Sequence, residues 1–152
     1  NKIVTFGELT KQYAQANTNL YDLGCSLGAA TLTMRRNLQV EGCEILAIDN
    51  SPAMIQRAEE YLHAYHSDVP VNLQCADMTE VPIENASVVV INFTLQFIDP
   101  EQRDALVKRI YQGLKQTNTY VLLNYTENCL YPIKILTYKA LTYYLQKNLK
   151  TV

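Results

Sequence analysis

The chain has 152 residues, 48% apolar and 18% charged, with a formal net charge of −2. That balance predicts one globular domain with a real core and excludes a disordered chain. It implies no broad basic face for nucleic acid. The four cysteines, at 25, 43, 75 and 129, form neither a C-x-x-C pair nor a Cys/His cluster, so no zinc site is expected. Scattered cysteines suit a reducing, cytoplasmic setting. No apolar run approaches the roughly 20 residues needed to span a bilayer, and no signal-peptide pattern is present. The chain starts at Asn1 rather than Met, so an upstream segment is expected.

In chain order, residues 1–16 place Ile3, Val4, Phe6, Leu9 and Tyr13 at amphipathic-helix spacing, and Asn17-Thr18 ends the pattern. Asn19–Leu23 reads as a strand. It runs into Gly24 and Gly28, and a helix follows from Leu27 to Asn37. Strand, glycine turn and helix in succession form a βα unit, in which glycine lets the backbone turn sharply or approach a ligand. The spacing Asp-x-Gly-x-x-x-Gly differs from the G-x-G-x-x-G of dinucleotide sites. Glu44–Asp49 is an apolar strand ending in a carboxylate. Asn50-Ser51-Pro52 starts a helix carrying Met54, Ile55, Ala58, Tyr61, Leu62 and Tyr65.

Val71–Ala76 alternates as a strand that Asp77 closes, and residues 79–85 are loop. Ser87–Asn92 is the most β-branched run and reads as a central strand. Asp99-Pro100-Glu101 opens a helix that carries Ala105, Leu106, Val107, Ile110, Tyr111 and Leu114, and Thr119–Leu123 is a fifth strand. Alternation from residue 19 to 124 predicts an α/β, Rossmann-like fold, a mostly parallel sheet with helices on both faces. Residues 1–18 form its N-terminal helix and 125–152 a C-terminal segment, which a helix after Pro132 would suit. Six of the eleven tyrosines fall between Tyr120 and Tyr144, marking a change in composition there.

In such folds ligands sit at the carboxyl ends of the strands. The first strand delivers Asp22 and the Gly24–Gly28 loop. The second delivers Asp49, whose carboxylate can accept both hydroxyls of a ribose or simply sit solvated before the next helix. The third delivers Asp77-Met78, suited to an adenine amino group and ring or to an ordinary turn. The fourth delivers Asn92, followed by Phe93 and Phe97, which suit either a pocket wall or the core. Four strand ends thus each offer a group matched to one part of an adenosine ligand.

The stretches YDLGCSLGAATL, AIDNSPAMI, IENASVVVINFTLQF and RIYQGL resemble the Rossmann-type S-adenosylmethionine-dependent methyltransferases, and within them the carboxy-S-adenosyl-L-methionine synthase family. The likeness covers roughly residues 1–123. It implies S-adenosyl-L-methionine (or its carboxylated form) as cofactor, held by Gly24, Cys25, Ser26, Asp49, Asn50, Asp77, Met78 and Asn92, with no metal. It implies carboxyl transfer from prephenate, a homodimer, and service to tRNA wobble-uridine modification without direct tRNA binding. Members of the family are longer at both ends, so the chain is expected to be incomplete. The arginine with which the family clamps the added carboxylate, well downstream of the fifth strand, is not placed on this sequence, in which no arginine follows Arg109. A methyltransferase acting on a small molecule or RNA, and a non-catalytic cofactor-binding subunit, remain the alternatives.

Other residues carry less. Arg35-Arg36 reads as a solvated helix face, and His63 and His66 lack a Ser or Cys partner. Cys25 offers backbone rather than thiol chemistry. Asp22 either shapes the loop or binds the cofactor's amino group. Asp99, Glu101 and Asp104 crowd a helix N-terminus, where the dipole favours them. No catalytic residue is assigned.

Overall fold

The computed structural model describes residues 2–114, 120–124 and 130–134, with side chains from 6 to 114. The elements are α1 (Lys2–Tyr13), β1 (Asn19–Leu23), α2 (Ala29–Asn37), β2 (Glu44–Asp49), α3 (Pro52–His63), β3 (Val71–Cys75), β4 (Ala86–Asn92), α4 (Pro100–Gly113), β5 (Tyr120–Asn124) and β6 (Leu130–Lys134), with a short 3-10 turn at Leu95–Phe97. The strands form one sheet in the order β3-β2-β1-β4-β5-β6. β1 to β5 run parallel, and β6 is antiparallel to β5. Residues 130–134 are therefore a strand, so no helix starts directly after Pro132; the rest of the C-terminal segment, where that expected helix would continue, lies outside the described residues.

β1 and β4 are central because their sequences tolerate burial on both faces. Every residue of β4 except Asn92 is buried. Alternate side chains feed two cores. Leu20, Ile45, Val88 and Val90 pack with Phe6 of α1 and with Ala30 and Met34 of α2. Tyr21, Leu23, Val89 and Ile91 pack with Leu106, Val107 and Ile110 of α4 on the other face. Each such side chain contributes roughly 1.5–3 kcal/mol when fully buried.

Local signals set the helix boundaries. Ser51 accepts a hydrogen bond from the Met54 amide at 3.4 Å with Pro52 beginning α3, and Asp99 accepts from the Glu101 amide at 3.0 Å with Pro100 beginning α4. α2 starts at Ala29 rather than Leu27, because Gly28 occupies the left-handed region at φ 86° as its N-cap. α3 ends at His63, two residues short of Tyr65.

Of the two arginines of α2, Arg36 lies on the solvated face that the sequence suggests and Arg35 does not. Arg35 is half-buried. It donates from Nε to Val69 O (3.0 Å), from Nη2 to Ser67 O (3.1 Å), and from Nη1 to Leu62 O and Tyr65 O (both 3.4 Å). The guanidinium thus ties the last turn of α3 to the loop that leads into β3. Arg36 is exposed, with its guanidinium 4.4 Å from the Tyr65 ring centroid, a cation–π contact.

Candidate functional site

Strand order reverses between β1 and β4, and a cavity of about 590 Å³ opens at the carboxyl ends there. Gly24, Cys25, Ser26, Asp49, Asn50, Asp77, Met78 and Asn92 all line it. Loops separated by up to 68 residues of chain therefore converge on one hollow, because they leave the carboxyl ends of β1, β2, β3 and β4, which are parallel and end on the same edge. A second hollow, of about 690 Å³ beside α3 and β3, contains none of the eight. The guanidinium there, Arg35, is committed to backbone carbonyls.

The glycine loop is fastened from within. Gly24 N–H (2.7 Å) and Cys25 N–H (2.9 Å) both donate to Ile48 O. Ser26 N–H donates to Asp49 Oδ2 at 2.9 Å, and Gly28 N–H to Cys25 O at 2.9 Å. The Gly24, Cys25 and Ser26 amides are spent on holding the loop to β2, so those three are not offered to a pyrophosphate. Gly24 (φ 80°) and Gly28 (φ 86°) adopt backbone conformations costly for other residues, and Ser26 shares the region at φ 50°.

Asp49 accepts from two backbone amides, Ser26 through Oδ2 and Ser51 through Oδ1, each at 2.9 Å. It thereby ties the β1 loop to the start of α3. Each oxygen keeps a second lone pair for a ligand hydroxyl. Asp77 is exposed and accepts from the Thr79 amide (2.8 Å) and hydroxyl (2.7 Å). Those two bonds, the hydroxyl first, hold its carboxyl below the usual carboxylate range. Arg109 of α4 donates to the Met78 and Thr79 carbonyls, fixing the same loop from the opposite side.

Asp22 is 1% exposed and lines the cavity. Its Oδ2 accepts from Thr31 Oγ1 at 2.6 Å, and its Oδ1 is buried with no partner among the described residues. Burial pushes its carboxyl up to about 6, against the Thr31 hydroxyl and amide, which favour the charged form; Asp49 adds a smaller upward push. Cys25 is also buried, and desolvation, followed by Asp22 and Asp49, pushes its thiol upward. That removes Cys25 as a nucleophile and leaves its backbone to shape the loop.

After β4, Phe93 stands at φ 56°, strained for an aromatic residue. Thr94 donates from Oγ1 to Asn92 O at 2.9 Å. Phe97 is 81% exposed at the mouth and Leu27 45% exposed in the glycine loop. Phe93, Phe97 and Ile98 are wall residues. Thr94, Thr31 and Arg109 escape a sequence reading, since their roles depend on partners 70, 9 and 30–31 residues away. Among the residues lining the cavity, Asp22, Asp49 and Asp77 are charged and none is basic. No group of three or more His, Cys, Asp or Glu able to hold a metal ion occurs among the described residues.

The model of a methyltransferase domain matches residues 20–117. Over 116 residues the chain is 62% identical to carboxy-S-adenosyl-L-methionine synthase from Hydrogenovibrio crunogenus, covering 76% of this chain and 46% of that protein. It is 52% identical over 122 residues to the protein of the same name from Vibrio campbellii, covering 80% of this chain and 50% of that protein. The chain thus spans about half the length of these curated relatives. A crystal structure of an S-adenosylmethionine-dependent methyltransferase from Clostridium acetobutylicum shares the fold, with a TM-score of 0.64 and 17% identity over 80% of this chain and 48% of that one. With strand order, cavity position and the matched region in agreement, this chain belongs to the methyltransferase-domain family.

Proposed function

We propose that the cavity binds S-adenosyl-L-methionine, and that the chain is the cofactor-binding part of an enzyme transferring a carboxyl group from prephenate to it, giving carboxy-S-adenosyl-L-methionine. The observation that carries the binding assignment is the convergence of Gly24, Asp49, Asp77 and Asn92 on one hollow. Gly24 to Ser26 would flank the amino-acid end, with Asp22 Oδ1 as the free acceptor for its ammonium. Asp49 and Asn50 would take the ribose hydroxyls, Asp77 the adenine amino group, and Met78 the ring; Asn92 would face the ligand backbone. A wall bearing three carboxylates and no cation suits a ligand with a sulfonium and an ammonium.

Names shared at 62% and 52% identity support the carboxylating reaction over simple methyl transfer. The cation that would meet the carboxylates of prephenate has to come from outside these lining residues. The same reading takes the protein as a cytoplasmic homodimer that supplies tRNA wobble modification without touching tRNA itself.

The test is mass spectrometry of the ligand released from purified protein, before and after incubation with S-adenosyl-L-methionine and prephenate. A mass increase of one carboxyl over S-adenosyl-L-methionine is expected. Unmodified cofactor, with no product from prephenate, would overturn carboxyl transfer and leave the binding assignment standing. Failure to bind the cofactor at all would overturn both.

A further inference from the structure

Asp22 is the one lining carboxylate here that is fully buried, and its surroundings are spare. On its strand neighbours, Ala47 of β2 and Val90 of β4 pair with it. The titratable groups facing it are Asp49 at the end of β2 and the Cys25 thiol in the glycine loop. From α2 the facing group is the Thr31 hydroxyl, itself fully buried. No cationic side chain lies among the residues lining the cavity beside it. A buried carboxylate with one oxygen held and the other unpartnered is costly unless something completes it.

We propose that Thr31 is a positioning residue: its hydroxyl holds Asp22 Oδ2, leaving Oδ1 as the acceptor for a ligand ammonium and making binding of that ligand proton-linked. This rests on the cavity being the S-adenosyl-L-methionine site. A threonine hydroxyl that donates to Asp22 favours the ionised carboxylate, and only that form attracts an ammonium. Burial works the other way and lifts the Asp22 carboxyl to about 6. In the ligand-free protein the proton therefore competes with the ligand at mildly acidic pH. Thr31 sets where that competition falls.

The experiment is calorimetric titration of S-adenosyl-L-methionine into the protein between about pH 5 and 7.5, for the wild type, Thr31→Val, Thr31→Ser and Asp22→Asn. The comparison ligand is 5′-methylthioadenosine, which keeps adenine and ribose but has no amino-acid end. In the wild type, affinity for S-adenosyl-L-methionine should fall by about tenfold per pH unit below the Asp22 midpoint, while 5′-methylthioadenosine binding stays flat. Thr31→Val should move the midpoint to higher pH, Thr31→Ser should restore it, and Asp22→Asn should abolish the dependence. A merely structural role would change melting temperature without moving that midpoint. Profiles that superimpose for the wild type and Thr31→Val would overturn the inference alone. Failure of both ligands to bind would overturn the cofactor reading and the inference with it.

Discussion

A Cβ added at Gly24 would lie 2.8 Å from Thr94 Cβ, and closer still to Thr94 Oγ1 and Cγ2. The loop after β1 and the loop after β4 thus touch across the floor of the cavity, and glycine is the residue that allows it. Gly24 also stands at φ 80°. Gly24→Ala therefore combines an unfavourable backbone conformation with overpacking, and we expect a loss of about 2–4 kcal/mol of stability by denaturant unfolding. Thr94→Gly combined with Gly24→Ala should recover part of the loss relative to additivity, which a double-mutant cycle measures. Strict additivity would show that the two loops are not coupled.

Asp49→Ala should act on two levels. It leaves the Ser26 and Ser51 amides without their acceptor, costing about 1–3 kcal/mol of stability. It also removes the proposed ribose acceptor, so affinity for both S-adenosyl-L-methionine and 5′-methylthioadenosine should drop at least about tenfold. Unchanged affinity in a titration would refute the ribose assignment.

Asp22 links stability to pH in the direction opposite to a paired carboxylate. Its carboxyl stands at about 6 in the folded chain against an ordinary 3.8. The folded state therefore holds the extra proton between those values, and stability falls as pH rises through them. The loss reaches about 3 kcal/mol above pH 6, two pH units at roughly 1.4 kcal/mol each. Asp22→Asn should raise the stability of the ligand-free protein at about pH 7.5 and flatten its slope between about pH 4 and 6, while weakening ligand binding. That is a functional group retained at a cost in stability. Denaturation midpoints of the two proteins at both ends of that range decide it; parallel curves would remove Asp22 from the account.

Arg35→Lys keeps the charge and loses the fork that reaches four carbonyls, so a loss of about 1–2 kcal/mol is expected. Affinity for S-adenosyl-L-methionine per folded molecule should not change, since Arg35 lies outside the cavity lining. Arg36→Ala should cost less, about 0.5–1 kcal/mol, for an exposed cation–π contact. Equal costs for the two would contradict the structural role assigned to Arg35.

The sequence by itself determined the βα alternation, because β2 and β4 are apolar runs, β3 alternates, and α3 and α4 each open on a cap followed by proline. Ser51-Pro52 and Asp99-Pro100 behave as their local chemistry requires. It also marked Gly24, Asp49, Asp77 and Asn92 as residues that would meet, since parallel strands joined by helices must deliver their carboxyl ends to one edge. What it could not decide were relations set by packing. The Arg35 guanidinium left the solvent because carbonyls of the last turn of α3 and of the loop beyond it came within its reach. The Leu27 and Gly28 positions fell before α2 rather than inside it because Gly28 took a left-handed conformation. The proton affinity of Asp22 was settled only by its neighbours, since desolvation depends on what surrounds a charge in space, and periodicity along the chain carries no record of that.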